Sequence, residues 1–272
     1  MIIPRPKKSL GQNFLVDQGV LGRIVDAVAI QPGDRILEVG PGRGALTRLL
    51  AEKAGAVVAV ELDSQLVPIL EREFHDNPTV RIVQSDILRV TIPELLGSAG
   101  AGNWKVAANL PYNISSQVLF KLLDERSCFN RLVLMLQREV GERILAPPDC
   151  KEYGILSVLL QMFFDVRREF IVRPGSFHPV PKVDSIVLSF LPLAEPRYHL
   201  DDESLFRRVV KGSFAYRRKT LWNCLRGATL EFADEQLQKA LDFASIDPVR
   251  RGETLSLEEF ARLTNLLLAA GP

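Results

Sequence analysis

The chain has 272 residues, 47% hydrophobic and 25% charged, the composition of a folded globular protein with room for one large or two unequal domains. Its three cysteines, Cys128, Cys150 and Cys224, are widely spaced with no paired Cys or His beside them, which argues against a disulfide framework or a metal site and for reduced thiols in a cytoplasmic setting. The net charge of +1 gives no whole-molecule argument for nucleic acid, and no run has the apolar core of a signal peptide or the length of a membrane span.

The first motif, Lys7-Lys8-Ser9-Leu10-Gly11-Gln12-Asn13-Phe14-Leu15, precedes a periodic helix expected over 18–29. By position it is a solvated terminal arm. Against that reading, Lys7 and Lys8 are candidates for phosphate contact, and Asn13 and Leu15 for capping a ligand site. Next, Ile36, Leu37 and Val39 supply the apolar run of a buried strand, Gly40-Pro41-Gly42-Arg43-Gly44 interrupts it, and 45–50 resumes at helical spacing. Glycine suits such a turn because it accepts positive φ and lets a ligand lie against the backbone. An ordinary strand-to-helix loop fits those residues equally well.

The following strands tilt the balance. Residues 56–60 form a second apolar run ending in Glu61-Leu62-Asp63, and Glu61 falls 21 positions after Gly40. In dinucleotide-like sites an acidic residue about 20 positions on accepts bonds from ribose hydroxyls. A helix over 64–74 and a third strand over 80–86 follow, the strand ending in Asp86, an acceptor for an adenine amino group, beside the flat apolar Ile87. Strand four (104–108), a helix (115–123) and strand five (131–136) continue the alternation, so a parallel sheet with helices on both faces is expected, with ligands beyond the carboxyl ends of its strands. Residues 165–172 and 185–191 have no helix between them and are expected to form a terminal hairpin in the sheet.

Strand four ends in Asn109-Leu110-Pro111-Tyr112. Methylation of an exocyclic amine requires acceptors for its two N–H groups, so that the nitrogen lone pair turns from the ring toward an electrophilic methyl. The Asn109 side-chain oxygen and a nearby backbone carbonyl held by Pro111 fit that need, and Tyr112 could stack on the base, worth roughly 1–3 kcal/mol. A strand end followed by a proline turn is the bland alternative. Phe177 would ordinarily be core, but its setting between Gly175 and Pro179-Val180-Pro181 suggests a stiff loop presenting an aromatic face to a flipped-out base.

Beyond Pro192 the pattern turns helical, and a domain boundary is placed there: 1–192 as the catalytic domain, 193–272 as a helical RNA-binding domain. Residues 205–226 hold Arg207, Arg208, Lys211, Arg217, Arg218, Lys219 and Arg226 with no Asp or Glu. A solvated helix face normally mixes signs, so this segment reads as a helical surface for RNA phosphates.

These residues carry a resemblance. Glu38-Val39-Gly40-Pro41-Gly42-Arg43-Gly44 resembles the glycine motif of S-adenosylmethionine-dependent methyltransferases, and Asn109-Leu110-Pro111-Tyr112 resembles the acceptor motif of amino-group methyltransferases. With the first motif and Phe177-His178-Pro179-Val180-Pro181-Lys182-Val183-Asp184-Ser185, they resemble the ribosomal RNA adenine N6,N6-dimethyltransferase family over about 6–268. The resemblance implies a Rossmann-like sheet with a smaller all-helical C-terminal domain. It also implies S-adenosyl-L-methionine held by Asn13, Leu15, Gly40, Glu61, Asp86 and Asn109, a wall that Gly42, Leu62 and Ile87 extend. Asn109, Leu110 and Tyr112 would engage the target adenine, with Phe177 on its other side. The implied reaction dimethylates two adjacent adenosines in a hairpin loop near the 3′ end of small-subunit (16S) rRNA during subunit maturation, by a monomer acting without metal or membrane.

Three other readings stand beside it. A large-subunit rRNA adenine methyltransferase of the macrolide-resistance type shares the first domain, although Arg217-Arg218-Lys219 and 255–260 speak for the small-subunit type. A noncatalytic RNA-binding assembly or transcription factor on the same fold is opposed by the intact Asn109-Leu110-Pro111-Tyr112. A nicotinamide dehydrogenase is opposed by a turn reading Gly-x-Gly-x-Gly where G-x-G-x-x-G is expected.

Overall fold

A computed structural model describes residues 4, 6–7, 10–97, 104–228 and 230–271. They form β1 (Phe14–Leu15), α1 (Gln18–Val28), β2 (Arg35–Val39), α2 (Ala45–Ala51), β3 (Ala56–Glu61), α3 (Val67–Glu73), β4 (Val80–Gln84), α4 (Ile92–Leu96), β5 (Trp104–Asn109), α5 (Ser115–Asp124) and β6 (Phe129–Gln137). Then come α6 (Arg138–Leu145), α7 (Ile155–Phe163), β7 (Phe164–Val172), β8 (Phe177–His178), β9 (Ser185–Pro192), α8 (Glu203–Ser213), α9 (Leu221–Gly227), α10 (Asp234–Phe243) and α11 (Leu257–Ala270).

The chain separates into two compact units, Met1–Gly141 with Val166–Pro192, and Glu142–Asp165 with Leu193–Pro272. In the first, seven strands lie in the order β4-β3-β2-β5-β6-β9-β7. The pairs from β4 to β6 are parallel, and β9 runs antiparallel to β6 from Leu132↔Phe190 to Gln137↔Ser185. The expected hairpin therefore supplies the end of the sheet, with β9 and β7 as neighbours. Strands such as β2 and β3 are buried almost throughout, as a parallel sheet covered on both faces requires. The helix at 18–29 follows its periodicity: Asp17 caps it by accepting from the Val20 N–H, and Leu21, Ile24, Val25 and Val28 fall on the buried stripe. That stripe packs into one apolar cluster with Ile36, Val57, Ala107, Val133 and Val187.

The second unit is helical. Phe163 at the end of α7 meets Phe206 of α8 edge-on, with ring centroids 6.3 Å apart, and Phe214 links Tyr153 to Phe260 of α11. Helix α11 begins with a capping box, Ser256 accepting from Glu259 N–H while the Glu259 carboxylate accepts from Ser256 N–H.

Helices α6 and α7 lie where the sequence pattern predicts no element: α7 is short and mostly apolar, and its polar face consists only of Ser157 and Gln161, which bond the Arg143, Ile144 and Ala146 carbonyls. Glu142–Asp165, placed by sequence in the first domain, groups with the C-terminal helices, since the buried face of α7 is completed by α8.

Candidate functional site

Each carboxyl end of β2, β3, β4 and β5 delivers one candidate residue to the same place. Gly40 adopts φ 71°, and its N–H donates to the Val60 carbonyl at 2.9 Å, which ties the glycine turn to the end of β3. Gly42, at φ 60°, approaches the Phe14 ring so closely that a Cβ there would lie 2.9 Å from it. Only glycine keeps this wall both left-handed and flat.

Glu61 is almost fully buried, with Oε2 accepting from the Gly42 N–H at 3.1 Å and Oε1 from the Asp63 N–H at 2.8 Å. Burial pushes its carboxyl above the ordinary carboxylate value, the two backbone bonds opposing that only in part. A carboxylate carries about four acceptor positions, so both oxygens retain capacity for hydroxyls of a ligand. Asp86 anchors the Leu88 N–H through Oδ1 at 3.0 Å, beside the buried Ile87.

These groups line one cavity with Asn13, Gly42, Leu62, Asn109, Leu110 and Tyr112. Leu15 lies instead along an adjoining cavity behind the glycine turn, which shares Gly40, Gly42 and Asn109 with the first. The Asn109 amide nitrogen donates to the Asn13 carbonyl at 3.1 Å, which turns the side-chain oxygen the opposite way and leaves an oriented acceptor. Tyr112 is half-buried, and its hydroxyl shares a 2.8 Å hydrogen bond with the buried Ser185 Oγ. Burial raises the phenol above its ordinary value, so it stays protonated at neutral pH.

Residues 10–14 close over the cavity as a roof. The Lys7 ammonium reaches Asp63 Oδ1 at 2.6 Å and the Gln12 amide donates to Asp63 Oδ2 at 2.9 Å. Burial alone would raise the Asp63 carboxyl, but these bonds and the Gln65 N–H outweigh it and hold it below the ordinary value. The arm is therefore not simply solvated, and Lys7, expected to be free for phosphate, is paired with Asp63. Lys8 lies outside the described residues.

Phe177 is a second correction. It is 2% exposed and belongs to the apolar cluster with Leu15, its strand partner, so its face is covered and does not line the cavity. Antiparallel pairing of β8 with β1 turns the ring inward; the proline-rich stretch begins only after it. The basic segment is a third. Arg217, Arg218 and Lys219 sit on an exposed turn between α8 and α9, not on a helix: a Lys219 N–H to Tyr216 carbonyl bond closes the turn, and Thr220 then caps α9. Nor does the segment lack counter-charges: Glu203 holds Arg207, Asp234 holds Arg226, and Arg217 donates to the Lys151 carbonyl near Glu253. Arg208, Lys211, Arg218 and Lys219 are exposed and carry no ion pair among the described residues.

A match to the ribosomal RNA adenine dimethylase model runs over residues 4–268. The chain belongs to the ribosomal RNA adenine dimethylase family. Two relatives called ribosomal RNA small subunit methyltransferase A, from Geobacter metallireducens and Geobacter sulfurreducens, are 61% and 62% identical over 267 residues, 98% of this chain and 97% of each relative. Among solved structures, a dimethyladenosine transferase from Plasmodium falciparum is 25% identical with a TM-score of 0.79, covering 95% of this chain and 98% of that one. The fold of this dimethylase family member is the Rossmann-like one of S-adenosylmethionine-dependent rRNA methyltransferases, with a helical C-terminal region. No helix among the described residues is long and apolar enough to cross a membrane.

Within this dimethylase fold, sequence reasoning passed over Gln12, Asp63 and Ser185, which hold the roof and the tyrosine. Asp63 stands two residues after Glu61, and that spacing was the available signal. It also left Glu38 without a role. Glu38 is 1% exposed, lines the cavity behind the glycine turn, and its Oε2 has no hydrogen-bond partner among the described residues. Burial raises its carboxyl to about 8, Thr47 opposing this and Glu61 adding to it. A carboxyl raised in the folded state contributes stability that is complete below its ordinary value near 4.5 and is lost as pH rises through about 8. The cofactor-free protein should therefore melt lower at pH 8.5 than at pH 5. Glu38→Gln should flatten that dependence, stabilising the fold at pH 8.5 by about 2 kcal/mol in denaturant titrations.

Proposed function

We propose that this protein transfers methyl groups from S-adenosyl-L-methionine to the N6 amine of adenosines in small-subunit rRNA, giving N6,N6-dimethyladenosine at two adjacent positions in a hairpin loop near the 3′ end. The observation that carries this reading is the Asn109 amide, anchored on the Asn13 carbonyl and shared between the cavity of Glu61 and Asp86 and the motif that ends in Tyr112. The small subunit is chosen because the full-length relatives bear that name.

The residues present fit the cofactor. Glu61 and Asp86 are acceptors for ribose hydroxyls and an adenine amine, Ile87 is an apolar contact, the flat Gly42 wall admits a ligand against the backbone, and Glu38 offers an unpartnered buried oxygen beside it. When bound, S-adenosylmethionine supplies an electrophilic methyl. The chain does the rest by positioning: the Asn109 oxygen and the Leu110 backbone carbonyl accept the two N–H bonds of the amine, and Tyr112 stacks on the extruded base. Holding the amine this way turns its lone pair toward the methyl, and no strong base is needed because the nitrogen becomes acidic only as the new bond forms. The helical unit, with the exposed Arg208, Lys211, Arg218 and Lys219, is the proposed RNA-phosphate surface, and the cytoplasm is the proposed site of action.

The test is incubation of purified protein and labelled cofactor with under-methylated small subunits, with large subunits in parallel, followed by nucleoside mass spectrometry. N6,N6-dimethyladenosine in the small subunit alone is expected; none in either subunit would sink the proposal, and label in the large subunit would favour the macrolide-resistance type.

A further inference from the structure

The carboxyl end of β3 holds a group that the proposed chemistry does not use. Asp63 is 3% exposed, yet it faces neither the glycine wall nor the acceptor motif, and all its bonds run to its own loop and to the N-terminal arm. Lys7 and Gln12 also hold each other, the Lys7 N–H donating to the Gln12 side-chain oxygen at 2.7 Å, so Asp63 grips the arm at two points of one small loop. The loop is further closed by the Leu10 N–H to Lys7 carbonyl bond at 3.1 Å. Directly after it, Gly11 at φ 63° passes so close to Asn113 that a Cβ would lie 2.8 Å from that side chain's oxygen, and the next residues bring the Asn13 carbonyl to the Asn109 amide. One continuous path thus joins the strand end that bears Glu61 to the side chain that would orient the target amine.

We propose that Asp63 is a positioning residue: by gripping Lys7 and Gln12 it fixes the arm as the roof of the cavity, and through the Asn13 carbonyl it sets the orientation of the Asn109 amide. A charged pair with one partner 34% exposed and the other almost fully buried is a firmer tether than a surface pair, because the buried carboxylate has no water to exchange for its partners. Losing the grip frees the arm without removing any group that touches cofactor or base. The assignment rests on the methyl-transfer reading for its kinetic consequence, but not for its structural one.

The test uses the whole protein with Lys7→Met and Asp63→Asn, singly and together, and Lys53→Met as a control, since Lys53 pairs with Asp26 on a remote exposed face. In the cofactor-free protein, amide hydrogen exchange over residues 10–13 should rise at least tenfold in both single variants and no further in the double, while exchange in the strands of the sheet and in the control stays unchanged. The cofactor dissociation constant by calorimetry should rise several-fold, and kcat at saturating cofactor should fall with it. Unchanged exchange over 10–13 in both single variants overturns the proposal, as does an additive double variant. So does a kcat that stays at the wild-type value once cofactor is saturating. If the wild-type protein methylates no RNA, the reading above falls, while the exchange data still decide whether Asp63 holds the arm.

Discussion

Replacing Asn109 with alanine is expected to lower the single-turnover rate of methyl transfer about 100- to 1,000-fold, the usual cost of losing one preorganised polar group in a water-excluded site. The argument is geometric. The 3.1 Å bond to the Asn13 carbonyl occupies the amide nitrogen and fixes the oxygen as an acceptor before any substrate arrives. Alanine removes both ends, so the target amine keeps its lone pair conjugated with the ring and the Asn13 carbonyl loses its donor. Asn109→Asp separates the two contributions: it keeps an acceptor oxygen but sets a carboxylate against the Asn13 carbonyl. Its rate should also fall steeply. Both variants should melt within a few degrees of the wild type, because Asn109 stands at the end of β5, outside the apolar cluster. Mass spectrometry of single-turnover products measures the rates, and an alanine variant within fivefold of wild type would remove Asn109 from its assigned role.

The second large effect concerns RNA. Charge reversal of Arg218 and Lys219 together should weaken binding to small-subunit rRNA by about 100-fold at low salt and flatten the plot of log affinity against log salt by about 2, one unit for each lost phosphate contact. These two are the clean choice in the basic segment. Arg207, Arg217 and Arg226 are tied to Glu203, to the Lys151 carbonyl and to Asp234, so their replacement disturbs the helical unit as well as its charge. Arg218 and Lys219 project from an exposed turn beside Tyr216, which is itself 58% exposed and offers a ring to unpaired bases. Filter-binding at several salt concentrations reports both numbers, and an unchanged slope would mean that the RNA meets another face.

Much of the sheet was readable in the sequence because the central parallel strands are short and mostly apolar, and each ends beside a candidate site residue. Ile36 to Val39 and Ala56 to Val60 could hardly be anything else, and Glu61, Asp86 and Asn109 could be collected into one site by noting only that each closes a strand. What escaped was whatever depended on a partner distant in sequence. Phe177 looked like a loop aromatic because the prolines after it are visible in the sequence, whereas its pairing with Leu15 across the chain is not. Lys7 looked free because Asp63 lies 56 positions away. The counter-charges of the basic segment come from α10, from the start of α8 and from the loop before α11, all outside residues 205–226. Helix α7 escaped because only Ser157 and Gln161 mark its polar face in an otherwise apolar run, too little to separate a short helix from a buried strand.

The way α7 is placed has a practical side. The backbone passes between the two compact units after Gly141, after Asp165 and again after Pro192, so the helical unit is assembled from two separate lengths of chain. Ending a gene at Pro192 would not yield a tidy catalytic fragment: it would retain α7 while discarding α8, uncovering Phe163 and the rest of an apolar helix and inviting aggregation. A soluble half would need Glu142–Asp165 replaced by a short polar bridge as well, and the helical half would need its two lengths fused in one reading frame. Moving the helical unit onto another protein would therefore take two exchanges of chain and not one.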